Sequence, residues 1–191
     1  MGVDPLSEGS RQRRAVFLDR DGVINETMEG PSGGPPPTTL AQLKILPGVP
    51  EALQRLRDAG FRLIVVTNQP DVARGKTSLA AVEGINRELM AALPLDAIEV
   101  CYHDDADACD CRKPAPGLLL RAASRDGIDL AGSFMVGDRW RDIEAGKRAG
   151  CRTVLVYNAK AEPIPTEPWQ KADSLAEAAD LILKAVMEEA Q

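Results

Sequence analysis

The sequence predicts an α/β fold in which a parallel sheet is covered by helices on both faces. Short apolar runs alternate with longer stretches that repeat apolar residues at helical spacing, the pattern of strands joined by crossover helices. The runs are apolar at consecutive positions, as strands buried on both faces require. Segments dense in Asp, Thr, Asn and Arg follow the runs, and ligands of open α/β sheets bind beyond the carboxyl ends of the strands.

Residues 1–14 are polar and are expected to form a flexible tail, with one domain over residues 15–191. Ala15-Val16-Phe17-Leu18 is the first strand. Residues 29–39, with Gly33-Gly34-Pro35-Pro36-Pro37, form a loop. A helix follows over Pro50–Ala59, with Leu53 and Leu56 at helical spacing and Gly60 as its stop. Phe61–Val66 is a buried strand. Ser78–Leu93 is a helix that carries Leu79, Val82, Ile85, Leu89 and Met90 on one side. The pattern continues with a strand at Ala97–Val100, a helix at Pro116–Arg125, a strand at Ser133–Val136, a helix at Trp140–Ala149 and a strand at Thr153–Tyr157. A final helix runs from Ser174 to the neighbourhood of Met187.

Hydrophobic content of 44% and charged content of 27% over 191 residues belong to a globular chain with a substantial core. The net charge of −6 and the lack of a basic stripe argue against a nucleic-acid partner. No apolar run approaches the roughly 18 residues of a membrane helix, so no membrane partner is expected. Met1 to Arg14 lacks the apolar core of a secretory signal. A cytoplasmic monomer is the expectation, and its cysteines then read as thiols or metal ligands rather than disulfides.

Four segments supply the parts of one active site. They are Asp19-Arg20-Asp21-Gly22, Thr67-Asn68-Gln69, Arg112-Lys113-Pro114 and Gly137-Asp138-Arg139-Trp140-Arg141-Asp142. Asp19 would project from the first strand tip, with Asp21 two residues on. Two carboxylates repel a phosphate unless a cation intervenes, and Mg²⁺, with its oxygen ligands and retained waters, suits Asp19, Asp21 and Asp138. Asp19 can then attack phosphorus in line to give an aspartyl-phosphate, with Asp21 as general acid and base. Thr67 offers a hydroxyl, and Lys113 a point charge whose direction Pro114 helps fix. Asp142, four residues after Asp138, is placed to hold Lys113 or a metal-bound water. Any one of these segments alone is more often a turn, a strand end or a surface patch. The four in order, beside strand ends, are far more specific.

Cys101, His103, Cys109 and Cys111 form Cys-x-His-x₅-Cys-x-Cys and include the chain's one histidine. Three thiolates and an imidazole suit tetrahedral Zn²⁺ in a closed, structural site. The bland alternative is two core cysteines beside a chance histidine, but Asp104, Asp105, Asp107 and Asp110 mark an exposed loop, where free cysteines are unusual. Zinc would pin the loop that delivers Arg112 and Lys113. Cys151, before an apolar strand, reads as a packing residue.

In these segments the chain resembles the haloacid dehalogenase-like (HAD-like) phosphatase superfamily, over about Val16 to Asp180. The resemblance implies a Rossmann-like core, Mg²⁺, Asp19 as nucleophile and Asp21 as acid/base. The gaps between motifs leave no room for a large cap domain, so the chain looks like a capless member with a zinc-pinned loop. Within the superfamily it is similar to the D-glycero-D-manno-heptose 1,7-bisphosphate phosphatases and the histidinol-phosphatases, and Val72-Ala73-Arg74-Gly75 and Cys109-Asp110-Cys111-Arg112-Lys113-Pro114 look more like the heptose group. That implies hydrolysis of the C7 phosphate of a small phosphorylated sugar, with Arg20, Asn68, Gln69, Arg112 and Arg139 contacting substrate. The planar fork of Arg112 suits a second phosphate. Three segments depart from the heptose pattern: Glu26 to Pro37, Pro70-Asp71 and Lys76-Thr77. The competing readings are a histidinol-phosphate or other phosphosugar phosphatase, a polynucleotide 3′-phosphatase and a non-catalytic zinc module. The acidic charge opposes the polynucleotide reading, and the intact set of Asp19, Asp21, Lys113 and Asp138 opposes the module.

Overall fold

A computed structural model of the chain describes residues 13–28, 34–156 and 165–189. Among these, six strands form one parallel sheet: β1 (Ala15–Leu18), β2 (Arg62–Asn68), β3 (Ala97–Cys101), β4 (Phe134–Gly137), β5 (Arg152–Val156) and β6 (Gln170–Ala172). Their spatial order is β3-β2-β1-β4-β5-β6. The helices are α1 (Val49–Asp58), α2 (Leu79–Ala92), α3 (Gly117–Asp126), α4 (Trp140–Ala149) and α5 (Leu175–Glu189).

The strands bury both faces, which is why their sequences are continuously apolar. Val16 and Leu18 of β1 enter one core with Leu63, Val65, Phe134 and Val136, under Leu53, Leu56, Ala178 and Ile182 of α1 and α5. Phe17 points the other way, into a core with Ile64, Val66 and Met135, under Leu118, Ala122 and Ala145 of α3 and α4. Strand alternation thus feeds two cores from one run.

The expected elements recur with shifts of one or two residues. β2 runs two residues further, so Thr67 and Asn68 are part of the strand rather than beyond it. Ser78 caps α2 by accepting the Ala81 N–H at 3.1 Å, and Ser174 caps α5 by accepting the Glu177 N–H. β6 was not expected: Gln170-Lys171-Ala172 is no apolar run, and its parallel pairing with β5 makes it a strand. On α2 the buried face is Val82, Ile85, Asn86 and Leu89, whereas Leu79 and Met90 are 48% and 38% exposed. The apolar pattern misplaced the stripe because buried Asn86 takes a position in it.

Of the expected tail, residues 1–12 lie outside the described residues. Arg13 and Arg14 do not belong to it. Arg13 bridges to Ile128, the Arg14 carbonyl accepts the Arg62 N–H at 2.9 Å, and the Arg14 guanidinium sits over Phe61. Residues 29–33 of the expected loop, and Tyr157 at the expected end of β5, also lie outside the described residues.

The chain leaves β1 for β2 and β3 on one side and returns to β4 on the other. Connections from β1 and β4 therefore diverge, and a crevice opens at their carboxyl ends. Asp19 follows β1 and Asp138 follows β4.

Candidate active site and metal centres

Asp19, Asp138 and Asp142 bring carboxylate oxygens within 4.8 Å of one another at this crevice. All three are buried. Lys113 enters from the loop before α3, its side chain 3% exposed, and its three ammonium hydrogens have three acceptors. These are Asp19 Oδ1 at 2.6 Å, Asp142 Oδ1 at 2.6 Å and the Val66 carbonyl at 2.7 Å. Of the two roles open to Asp142, holding Lys113 or a metal-bound water, this contact is the first. Asp142 also accepts the Arg139 N–H at 3.0 Å, which starts α4.

Burial lifts the Asp19 carboxyl to about 6, against the pull of Lys113 and with the push of Asp142 and Asp21. Burial lifts Asp138 further, to about 8, with Asp19 and Asp142 adding repulsion. For Lys113, burial favours the neutral amine, but Asp142 and Asp19 outweigh it and push the ammonium above its usual range. Both oxygens of Asp138 are buried without a hydrogen-bond partner. Such atoms are costly in a folded chain, and a cation beside them removes both the orphaning and the repulsion. Gly22 makes room for this carboxylate. Its φ is +92°, and a Cβ there would lie 2.5 Å from Asp138 Oδ2.

Asp21 does not bring its carboxylate into the group of three, contrary to the expectation of a side-chain metal ligand. Arg20 Nε and Nη2 donate to it at 3.1–3.2 Å, Asn25 Nδ2 at 2.9 Å and Gln69 Nε2 at 2.7 Å. Arg20 and Gln69 likewise do not reach a substrate position. Arg20 is fully buried, and its remaining donor goes to Asn86 Oδ1 at 2.8 Å. Gln69 is buried and also donates to Thr67 Oγ1 at 2.9 Å. Both residues orient Asp21. Asn68 spends its amide on the Lys113 backbone, accepting the N–H at 3.1 Å and donating to the carbonyl at 3.0 Å.

Above these groups lies a cavity of about 360 Å³, lined by Asp19, Asp21, Thr67, Asn68, Lys113, Asp142, Arg112 and Arg139, all expected, and by Gly34, Pro35, Pro36, Pro70, Asp71, Arg74, Asp105 and Arg141. Sequence reasoning gave Arg74 and Arg141 no role, although both sit in segments it singled out. Arg112 donates from Nε to Asp105 at 2.7 Å, and Arg74 pairs with Asp71, Asp104 and Asp105.

Cys101, His103, Cys109 and Cys111 converge as the spacing predicts. Sγ–Sγ separations are 3.2–3.7 Å and the His103 Nδ1–Sγ separations 3.2 and 3.6 Å. Zinc at about 2.3 Å from each sulfur spaces tetrahedral sulfurs by about 3.8 Å, so the set needs little expansion to hold it. A 3-10 turn at Asp105–Asp107, capped by Asp104, closes the short link between His103 and Cys109. Lys113 is two residues beyond Cys111. The cysteines are unbridged, and burial pushes the Cys151 thiol up to about 12, in keeping with packing.

A buried aspartate bound by a lysine, beside a second carboxylate whose oxygens lack hydrogen bonds, at a parallel-sheet switch point is an arrangement suited to phosphoryl transfer. A family model described as HAD-hydrolase-like matches residues 110–185. A Pseudomonas aeruginosa protein named D-glycero-β-D-manno-heptose-1,7-bisphosphate 7-phosphatase is 37% identical over 90% of this chain and 99% of its own length. The Escherichia coli K12 protein of the same name is 38% identical over 83% of this chain and 86% of its own. The chain belongs to the HAD-like phosphatase family. The crystal structure of D,D-heptose 1,7-bisphosphate phosphatase from Bordetella bronchiseptica, complexed with magnesium and phosphate, superposes with a TM-score of 0.76 at 34% identity, covering 90% of this chain and 99% of the other. A putative HAD-like phosphatase from Mesorhizobium loti superposes with 0.73 at 30% identity, covering 90% and 85%. Among the described residues no helix is long and apolar enough to cross a membrane.

Proposed function

We propose that the chain removes the C7 phosphate of D-glycero-D-manno-heptose 1,7-bisphosphate in a Mg²⁺-dependent reaction. The observation that carries this reading is Asp19, bound to Lys113 and beside the orphaned Asp138, at the floor of an arginine-lined cavity. The relatives' names support the substrate and favour its β anomer. A cationic mouth suits a second phosphate better than the ammonium of histidinol phosphate.

Asp19 and Asp138 would hold Mg²⁺, with Asp142 in reach. When bound there, the cation neutralises the carboxylates and polarises the phosphoryl group. Lys113 occupies Asp19 Oδ1, which leaves Oδ2 without a hydrogen bond from any described residue. Oδ2 attacks phosphorus, a new O–P bond forms, and the ester O–P bond breaks. Asp21, aimed by Arg20, Asn25 and Gln69, gives its proton to the departing sugar oxygen. It then takes a proton from the water that cleaves the aspartyl-phosphate. Thr67 offers its hydroxyl to phosphate oxygens.

Zn²⁺ on Cys101, His103, Cys109 and Cys111 is structural in this reading. The chain works as a monomer with one catalytic domain, in a reducing cytoplasm that keeps the thiols free for zinc. Light scattering and elemental analysis check the monomer and one zinc per chain.

The deciding experiment is kcat/KM for phosphate release from both heptose anomers beside histidinol phosphate. A value above about 10⁴ M⁻¹s⁻¹ for one heptose anomer is expected, within the normal range for an enzyme on its own substrate. Comparable weak turnover of all three would defeat the heptose assignment. Asp19→Asn, Asp21→Asn and Lys113→Ala should each lower kcat by orders of magnitude. Near-wild-type turnover in any one removes that residue from the mechanism.

A further inference from the structure

The mouth of the cavity carries more positive charge than chemistry at Asp19 uses. Beyond the catalytic groups its charged walls are four arginines, Arg74, Arg112, Arg139 and Arg141, against Asp71 and Asp105. Asp104, just outside the lining, also pairs with Arg74, so the mouth keeps a surplus of one positive charge, which suits an oxyanion. Three of these arginines already have carboxylate partners. Arg74 binds Asp71, Asp104 and Asp105, Arg112 holds Asp105, and Arg139 lies 3.9 Å from Asp138.

Arg141 differs. It forms no salt bridge or hydrogen bond with a described residue. Its guanidinium carbon stands 4.9 Å from the centre of the Trp140 ring. A guanidinium stacked on an indole is held in orientation while its N–H edge stays free to bind an oxyanion. Its charge also reaches Asp105, whose carboxyl is held below the usual range chiefly by Arg112 and further by Arg141. Arg141 therefore stands near the arginine cluster while Asp105 is already committed to Arg112 and Arg74. One residue on, Asp142 turns inward to Lys113. The first turn of α4 thus supplies a catalytic-floor residue and a mouth residue side by side.

We propose that Arg141 is a specificity-determining residue that grips the non-reacting phosphate of a sugar bisphosphate while Asp19 attacks the other. This rests on the sugar-bisphosphate reading above. It adds a contact that selects bisphosphates over monophosphates. Losing a charge-assisted grip of this kind costs on the order of tenfold to a hundredfold in affinity.

The test is competition against p-nitrophenyl phosphate hydrolysis by heptose 1,7-bisphosphate and by heptose 7-phosphate, in wild type, Arg141→Gln and Arg141→Lys. Wild type should bind the bisphosphate more tightly. Arg141→Gln should remove at least about tenfold of that preference, and Arg141→Lys should restore part of it. Equal weakening of both competitors in Arg141→Gln, or an unchanged preference, overturns the proposal, as does a wild type without preference. A wild type that prefers the bisphosphate in competition but releases no phosphate from it defeats the heptose phosphatase reading. The Arg141 comparison then still reads the grip through binding.

Discussion

Arg20 is a fully buried guanidinium answered on every side, by Asp21 through two nitrogens and by Asn86 through the third. Its work is to hold the Asp21 carboxylate, the acid and base of the proposed reaction. Arg20→Met should cost about 3 kcal/mol in urea unfolding, because Asp21 and Asn86 lose a charged partner in a largely buried place. It should lower kcat more than it raises KM, and a change confined to KM would return Arg20 to substrate binding. Gly22→Ala forces a Cβ toward Asp138 Oδ2 from a left-handed backbone. The expected losses are roughly 1–3 kcal/mol of stability and a clear weakening of Mg²⁺ activation, read by metal titration of turnover. The groupings legible in the sequence were those that residue type and spacing set: Asp19 with Lys113 and Asp138, and Cys101 with His103, Cys109 and Cys111. Arg20 and Gln69 adjoin Asp19, Asp21 and Thr67 in sequence, which suggests substrate contact, but both side chains are buried against Asp21. Adjacency at a strand tip does not say which neighbour faces the crevice and which turns into the core.

The link between His103 and Cys109 is short, yet it does two jobs. Its 3-10 turn lets Cys101, His103, Cys109 and Cys111 meet, and Asp104 and Asp105 at its start hold Arg74 and Arg112 at the cavity mouth. Removing zinc should therefore lower phosphate release at least about tenfold, the scale seen when support around a site is lost. Added Zn²⁺ should restore it and added Mg²⁺ should not. Full activity of a zinc-free protein would separate the loop from catalysis. Elements built on burial could be read from the sequence, since β1, β2, β4 and the helices carry their own apolar patterns. β6 could not, because a neighbour's backbone rather than its side chains makes Gln170–Ala172 a strand. The exposed Leu79 and Met90 of α2 show the reverse limit. Helical spacing identifies a candidate stripe, and only the buried Arg20–Asn86 contact decides where the stripe lies.

Across the whole molecule, the lifted carboxyls at the crevice set a pH dependence. Asp19 and Asp138 rise from 3.8 to about 6 and about 8. A carboxyl raised in the folded state binds more protons folded than unfolded, so stability falls as pH climbs from about 4 to 8. The raised ammonium of Lys113 stays charged in both states over that window and adds no slope. Zinc-loaded, Mg²⁺-free protein should thus melt at a lower temperature at pH 8.5 than at pH 5.5. Mg²⁺ should recover more of the melting temperature at the higher pH, and a flat profile without Mg²⁺ would count against the lifted carboxyls. The strand order has a consequence for synthesis. β1 is the earliest of the described strands in the chain, yet it lies in the middle of the sheet, with Val16 beside Leu63 on one side and Phe134 on the other. A chain emerging from the ribosome can pair β1 with β2 early, but the second flank of β1 stays open until β4 has been translated. Distant pairing of this kind slows folding, and the half-flanked sheet, with its apolar strand edge, is the form most prone to join a neighbour during growth. Nascent chains arrested before Phe134 should therefore engage chaperones and resist native folding, whereas release after β5 should let the sheet close.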